Sequence, residues 1–175
     1  MSSELNNGFS DIFPTTVLKR KVHITDNIIE STLQKEITDD VKDIFFNFFN
    51  EYLNTIIKKS IYDFSDYHIV PWINLYDNNK MNFHTHAGTQ LSSVLYLSDC
   101  NEGSINFYDP RFYASRGYSL SYNNMFDTLK YSPKQGDVIV FPSFLYHDTD
   151  IVKGNKICIA ADLITEEETF GQGRK

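Results

Sequence analysis

From Tyr67 onward the chain consists of short runs rich in β-branched and aromatic residues, each bounded by turn residues. Six such runs follow one another without a helical pattern between them: HIVPWINLY, MNFHTHA, LSSVLYLSD, GSINFYD, GDVIVFPSFLYH and KICIAADLI. Closely spaced strands without crossover helices favour a sandwich or a barrel-like roll of the jelly-roll kind. The sequence therefore predicts a mainly β fold over residues 67–165.

The residues before Tyr67 predict supporting elements. Residues 14–22 alternate well enough for an edge strand with Lys19 and Lys21 facing water. A first helix begins near Thr25 or Asp26, and a second follows Asp39 and Asp40. The first helix carries Ile29, Leu33 and Ile37 at helical spacing; the second carries Val41, Phe45, Phe48, Tyr52 and Ile56, with Ile44, Phe49, Leu53 and Ile57 widening the apolar face. We expect this helical support, residues 24–60, to brace the sheet.

Length and composition limit the classes of function. The 175 residues suit one domain, and 41% hydrophobic residues are ample for a core. A net charge of -7 argues against a general nucleic-acid surface, which needs clustered basic residues. Cys100 and Cys158 lie too far apart for a CxxC motif, so reduced thiols are expected. We see no signal peptide and no membrane-spanning run, which predicts a cytoplasmic protein without a membrane partner.

The segment 110–134 is long for a loop and unusually aromatic. Loops of this length in compact domains are usually functional or disordered, and aromatic residues favour a functional loop. We expect a lid over a site, with these rings available for a substrate: Phe112, Tyr113, Tyr118, Tyr122, Phe126 and Tyr131.

Three of the five histidines have a spacing that suits metal chemistry. His84 and His86 are two apart, so in a strand both imidazoles point to one face. His147 closes the later apolar run VIVFPSFLYH and could complete a set of three ligands. Three protein ligands leave positions open for substrate or water, as a catalytic metal requires. The alternative is three ordinary polar residues on a sheet, as we expect for His23 and His68.

The motifs around these histidines resemble the Fe(II)- and 2-oxoglutarate-dependent oxygenases, particularly the prolyl hydroxylase branch. The resemblance covers residues 70–165 and consists of NLY, HTH, SSVLYL, GSINFY, GDVIVFPSFLYH and GNK. The runs HAGTQLSSVLYL, FYDPR and IFP are also similar to a small subfamily of such oxygenases from marine bacteriophages, which would place the protein in the host cytoplasm. The resemblance implies a double-stranded β-helix, or jelly roll, with Fe(II), 2-oxoglutarate and O2 as cofactors and ascorbate as a stimulant.

The resemblance also assigns roles to residues. It implies that His84 and His147 are metal ligands and that Lys156 pairs with the distal carboxylate of 2-oxoglutarate. Tyr76 and Tyr96 match phenols that hydrogen-bond the cosubstrate. Lys153 replaces Lys156 if the register slips.

One position departs from the family pattern, because the family has Asp where this chain has His86. Either His86 is the third ligand and Asp109 in FYDPR lies behind the ligands, or Asp109 takes the third position itself. Arg111 is then a candidate for holding a substrate or cosubstrate anion, and an ordinary surface arginine is the alternative.

The resemblance implies a dioxygenase that hydroxylates an unactivated C–H bond, for example of a prolyl or other peptidyl residue, with release of succinate and CO2. The aromatic loop favours a peptide or protein substrate over a small molecule. A cupin-like metal protein or zinc hydrolase could use the same histidines without Lys156 or the paired tyrosines. An inactive β-helix binding module is the third possibility.

Overall fold

In residues 7–12, 15–99, 103–111 and 128–166, which the computed structural model describes, the chain forms nine strands, two α-helices and one 3-10 turn. The helices are α1 (Asp26–Leu33) and α2 (Asp39–Ile56), followed by the 3-10 turn Ile61–Asp63. The strands are β1 (Gly8–Ile12), β2 (Thr15–Lys21), β3 (Asp66–Asp77), β4 (Leu91–Tyr96), β5 (Ile105–Tyr108), β6 (Thr128–Tyr131), β7 (Asp137–Pro142), β8 (His147–Thr149) and β9 (Asn155–Glu166). The fold is therefore mainly β with two helices, as the sequence predicts.

The strands form two antiparallel sheets. The larger sheet has the order β1-β2-β7-β4-β9-β3, and the smaller has the order β6-β5-β8. An isolated antiparallel bridge between His84 and His147 joins the segment after β3 to the free side of β8. This bridge brings the HTH segment to the start of β8.

The larger sheet separates the interior into two apolar clusters. On its helix side, Leu91, Leu95, Ile159 and Leu163 pack with residues of α1 and α2. On the other side, Tyr96, Phe141 and Cys158 pack with residues of the smaller sheet. Because side chains alternate along a strand, β4 and β9 each supply one face to each cluster. The space between the two sheets therefore belongs to the second cluster.

The helices brace the larger sheet, although their buried faces differ in detail from the predicted ones. In α2 the buried residues include Val41, Phe45 and Tyr52, as predicted, whereas Ile56 and Ile57 are exposed. In α1 the buried residues are Ile28 and Thr32, and Leu33 is 56% exposed. Thr32 tolerates burial because its hydroxyl donates to the Ile28 carbonyl at 2.7 Å.

The strand predictions need four corrections. β2 is not an edge strand, because β1 covers its outer side. The run MNFHTHA forms only the single bridge at His84. His147 begins β8 instead of ending β7, because a turn after Pro142 splits the apolar run. Residues 128–131 of the predicted aromatic loop form β6, which pairs with β5.

Three further expectations concern the aromatic loop, the cysteines and membrane-spanning helices. The aromatic positions 112–127 lie outside them, as does Cys100. Cys158 is buried in β9. No helix in the described part of the chain is long and apolar enough to cross a bilayer.

Gly136 sits where three strands of the larger sheet are tied together. Its amide donates to the Tyr96 carbonyl at 2.7 Å, and its carbonyl accepts from Val22 at 2.8 Å. Its φ is +83°, and an added Cβ would lie 2.4 Å from the Val22 carbonyl oxygen. Gly154 has the same φ of +83° but open space around the Cβ position.

We therefore predict that Gly136→Ala destabilises the protein more than Gly154→Ala. Both variants bear the left-handed backbone cost, about 1–2 kcal/mol. Gly136→Ala adds a steric cost of about 1–3 kcal/mol. Urea unfolding of both variants measures the difference, and equal losses would contradict the packing at Gly136.

Candidate functional site

His84, His86 and His147 come together at the bridge between the HTH segment and β8. One ligand atom from each ring lies within 4.8 Å of the others, and the Nε2 atoms of His84 and His86 are 3.1 Å apart. Phe141 packs edge-on against the His147 ring, and Trp72 of β3 lies against the His86 ring. The structure thus brings together the three histidines that the spacing selects.

Hydrogen bonds fix which nitrogen each ring presents to the cluster. His84 Nδ1 lies 2.6 Å from the Asn82 carbonyl oxygen, and His147 Nδ1 lies 2.9 Å from that of Leu145. His86 Nδ1 lies 2.8 Å from both carboxylate oxygens of Asp162. These partners can only accept, so each Nδ1 carries the proton and each neutral ring has a lone pair on Nε2.

Burial keeps His147 in the neutral form that a metal ligand requires. Burial is the main cause that lowers the pKa of His147 to about 4, and its hydrogen bond to the Leu145 carbonyl opposes the shift. The neighbouring His84 and His86 lower the pKa further. At neutral pH the Nε2 lone pair of His147 is therefore available.

The cluster fits a metal ion in its donor set and spacing. Two Nε2 lone pairs 3.1 Å apart repel each other unless a cation or proton lies between them. Two imidazole nitrogens bound at about 2.1 Å and at right angles to one ion would be about 3 Å apart. The Nδ1 hydrogen bonds to carbonyl and carboxylate oxygens are those that commonly orient metal-binding histidines. The triad could therefore hold a metal with open coordination positions.

A cavity leads from the histidines into the space between the sheets. Alternate residues of β9 form one wall, and Lys156 lies opposite Tyr76 of β3. The lining includes these predicted cofactor residues together with the histidines: Tyr76, Tyr96 and Lys156. The cavity therefore joins the predicted metal residues to the predicted 2-oxoglutarate residues.

Lys156 is a buried cation at this cavity. Its side chain is among the largest fully buried ones, and the residue is 2% exposed. Nζ donates to the Gly103 carbonyl at 2.9 Å and lies 5.4 Å and 5.0 Å from the ring centres of Tyr76 and Tyr96. No ion pair among the described residues involves Lys156. The alternative residue, Lys153, is exposed and does not line the cavity.

Asp109 and Arg111 pair with each other outside the histidine cluster. Asp109 is buried, and its carboxylate accepts from the backbone N–H of Arg111 at 2.8 Å and from its Nε and an Nη at 3.0 and 2.7 Å. The hydrogen bond to Asp109 is the main cause that raises the pKa of Arg111 above its ordinary value. Neither residue lines the cavity. The structure therefore brings His86, and not Asp109, to the other two histidines.

Sequence reasoning missed Asp162, which hydrogen-bonds His86. It also missed Trp72 and Asn74, which line the cavity on β3. The signal was available, because Asp162 shares the β9 face of Lys156 and Trp72 and Asn74 share the β3 face of Tyr76 at period-two spacing. A carboxylate within an otherwise apolar strand marks a position that needs a buried partner.

Comparison with known families identifies the class of protein. The family model described as "Putative 2OG-Fe(II) oxygenase" matches residues 71–162, more than half of the chain. The chain therefore belongs to this family, and it is an enzyme of the 2-oxoglutarate-dependent oxygenase class. No curated protein matches the sequence.

One solved structure has a TM-score above 0.5 and supports the fold. A viral collagen prolyl hydroxylase from Paramecium Bursaria Chlorella virus-1, solved with 2-oxoglutarate, is 12% identical with a TM-score of 0.54, over 87% of this chain and 96% of that one. An oxidoreductase of the 2OG-Fe(II) oxygenase family from Burkholderia pseudomallei is 15% identical with a TM-score of 0.49, over 90% and 72%. A prolyl-4-hydroxylase from Pseudomonas putida is 14% identical with a TM-score of 0.45, over 67% and 63%. The expected bacteriophage origin stays a prediction.

The geometry predicts a clear difference between His86→Ala and Asp109→Ala. His86→Ala removes one of three converging lone pairs, so we expect Mn(II) binding to fall below detection in calorimetry. Asp109→Ala removes only the partner of Arg111, so Mn(II) affinity should stay within about threefold of wild type. Loss of metal binding in Asp109→Ala with retention in His86→Ala would reverse the ligand assignment.

Proposed function

We propose that this enzyme is an Fe(II)- and 2-oxoglutarate-dependent dioxygenase that hydroxylates an unactivated C–H bond on a double-stranded β-helix. The observation that carries the proposal is Lys156, a buried ammonium without an ion-pair partner among the described residues, at the same cavity as three converging histidines. A buried charge is stable only when an opposite charge or a full set of hydrogen bonds meets it. A dicarboxylate bound to the metal would supply that opposite charge.

His84, His86 and His147 would hold Fe(II) through their Nε2 atoms. When bound, iron and 2-oxoglutarate would let O2 act as the oxidant: one oxygen atom would enter succinate as CO2 leaves, and the other would form the hydroxyl group on a substrate C–H bond. The protein contributes orientation, because the Nδ1 hydrogen bonds fix all three rings. The apolar walls contributed by Val94, Ile105 and Phe141 limit water in the cavity.

Lys156 would receive the distal carboxylate of 2-oxoglutarate away from the metal. The flanking tyrosine rings hold Nζ within the cavity by cation–π contact, and one of its three N–H groups donates a hydrogen bond to the Gly103 carbonyl. Two N–H donors of the ammonium are thus left for a carboxylate. Tyr76 and Tyr96, which line the cavity, would hydrogen-bond the cosubstrate, and Asn74 lies between Trp72 and Tyr76 on the same strand face.

For the substrate we propose a peptidyl residue, with prolyl residues as the first class to test. The fold similarity to a viral collagen prolyl hydroxylase motivates this choice. The exposed aromatic rings of Phe83 and Tyr146, which stack at 4.8 Å, directly precede the metal ligands His84 and His147 in sequence. Aromatic surfaces of this kind suit proline-containing chains. We further propose that Arg111 meets an anionic group of the substrate.

Removal of the Lys156 charge should selectively weaken cosubstrate binding. In Lys156→Met we expect the Kd for 2-oxoglutarate, measured by calorimetry with Mn(II), to rise at least about 30-fold, the usual effect of truncating one partner of a buried charge pair. Mn(II) affinity alone should change little. Lys153→Met is the matched control and should bind 2-oxoglutarate as wild type does. A larger effect of Lys153→Met would move the anion site to that residue.

The oxygenase activity itself can be tested without knowing the substrate. Given Fe(II), ascorbate and 2-oxoglutarate, the wild-type protein should produce succinate slowly, and a proline-containing peptide that is hydroxylated should accelerate this turnover. Mass spectrometry of the peptide detects the added oxygen. Absence of 2-oxoglutarate binding in the presence of Mn(II) would refute the proposed function and favour a hydrolase or a binding module.

A further inference from the structure

Asp162 places a carboxylate directly behind one of the three histidines. Both of its oxygens lie 2.8 Å from His86 Nδ1, and Ser92 Oγ donates to Oδ1 at 2.7 Å. The side chains of His86 and Asp162 are 14% and 13% exposed, so water screens the pair little. His84 and His147 have neutral backbone carbonyls in the corresponding positions. His86 is therefore the one ring of the cluster whose Nδ1 hydrogen-bonds a carboxylate, whereas the charge of Asp162 acts on His147 only from a distance.

The surroundings hold Asp162 in this position. Ser92 is directly opposite Asp162 in the pairing of β4 with β9, and it is buried. The Ser92 hydroxyl also contacts the buried hydroxyl of Ser143 at 2.9 Å. The backbone carbonyl of Ser143 accepts from the backbone N–H of His86 at 3.0 Å. Two strands and the turn after β7 thus fix the carboxylate against the imidazole.

Three neutral imidazoles give a divalent ion no negative charge. In a partly buried site this deficit is unfavourable, because the low dielectric weakens solvation of the ion. A carboxylate that accepts the Nδ1 proton makes Nε2 of the same ring a more basic and more strongly donating ligand. The charge then acts through the ring, although the carboxylate itself does not touch the ion.

We infer that Asp162 is a positioning residue that supplies the negative charge of the metal centre through His86, in place of a carboxylate ligand. This inference rests on the proposed metal site. It goes beyond that site because it assigns the charge of the centre to a residue outside the ligand set. The residue pair His86 and Asp162 then acts as one anionic ligand.

The test compares Asp162→Asn with wild type after metal removal. Asn keeps the size and one acceptor oxygen for His86 Nδ1, so the substitution removes mainly the charge. We expect the Kd for Mn(II), measured by calorimetry, to rise about 10- to 100-fold. The visible spectrum of the Co(II)-loaded variant should shift, and the Fe(III)/Fe(II) reduction potential should rise, because Fe(III) loses more from the missing charge.

Asp148→Asn is the matched control. Asp148 follows His147 in the chain, but its oxygens accept from Asn106 Nδ2 and the Tyr108 hydroxyl and contact no imidazole. We expect this variant to bind Mn(II) within about twofold of wild type, since only general charge changes. Equal losses in the two variants, or an unchanged Kd and potential in Asp162→Asn, would overturn the inference.

Two further measurements cover the cases in which Asp162→Asn does not fold or the wild-type protein does not bind. If Asp162→Asn does not fold, Ser92→Ala removes the hydroxyl that orients the carboxylate and should weaken Mn(II) binding several-fold; an unchanged affinity there overturns the inference as well. Wild-type binding of Mn(II) and 2-oxoglutarate is measured in parallel. If wild type binds neither, the proposed function fails, whereas intact wild-type binding with unaffected variants refutes only the role of Asp162.

Discussion

The site depends on the alternation of side chains along β9. One face of this strand presents Ile159 and Leu163 to the helices, and the opposite face presents Lys156 and Asp162 to the space between the sheets. These two charges are six residues apart, or about 20 Å along a strand, so they cannot pair with each other. Each must find a partner of its own. The strand therefore gives the cavity a cationic end and a histidine end.

The three histidines reach one point from two places in the chain because the bridge between His84 and His147 joins them. Backbone hydrogen bonds run both ways across this bridge, at 3.0 and 3.1 Å. His86 is tied separately, through its backbone to Ser143 and through its ring to Asp162. Each ring is thus fixed by two independent contacts, which together direct the three Nε2 atoms to one point. Because the rings are already held in place, binding a ligand costs less side-chain conformational entropy.

Much of this arrangement could be predicted from local patterns, and the failures have physical causes. Period-two spacing selected His84 and His86, and the motif resemblance selected His147 and Lys156. Asp109 was expected near the metal because it ends a strand beside the site, but a residue two positions later in the chain folds back and occupies its carboxylate. Spacing does not reveal such local pairing. Asp162 was missed because its partner, His86, is 76 residues away in sequence.

The charges of the proposed site would allow an acidic protein to bind a dianion. The chain carries a net charge of -7, which at long range disfavours an anionic cosubstrate. At the proposed site the balance is opposite, since a divalent ion on the histidines and Lys156 would bring three positive charges against the negative charge of Asp162 behind His86. Asp150, which also acts on Lys156, is already paired with Lys130. The two negative charges of a bound dicarboxylate would then balance the two positive charges that remain. With Asp at the position of His86 as well, the same cosubstrate would leave an excess of negative charge. The histidine at position 86 and the carboxylate at position 162 are therefore best understood as one compensated pair.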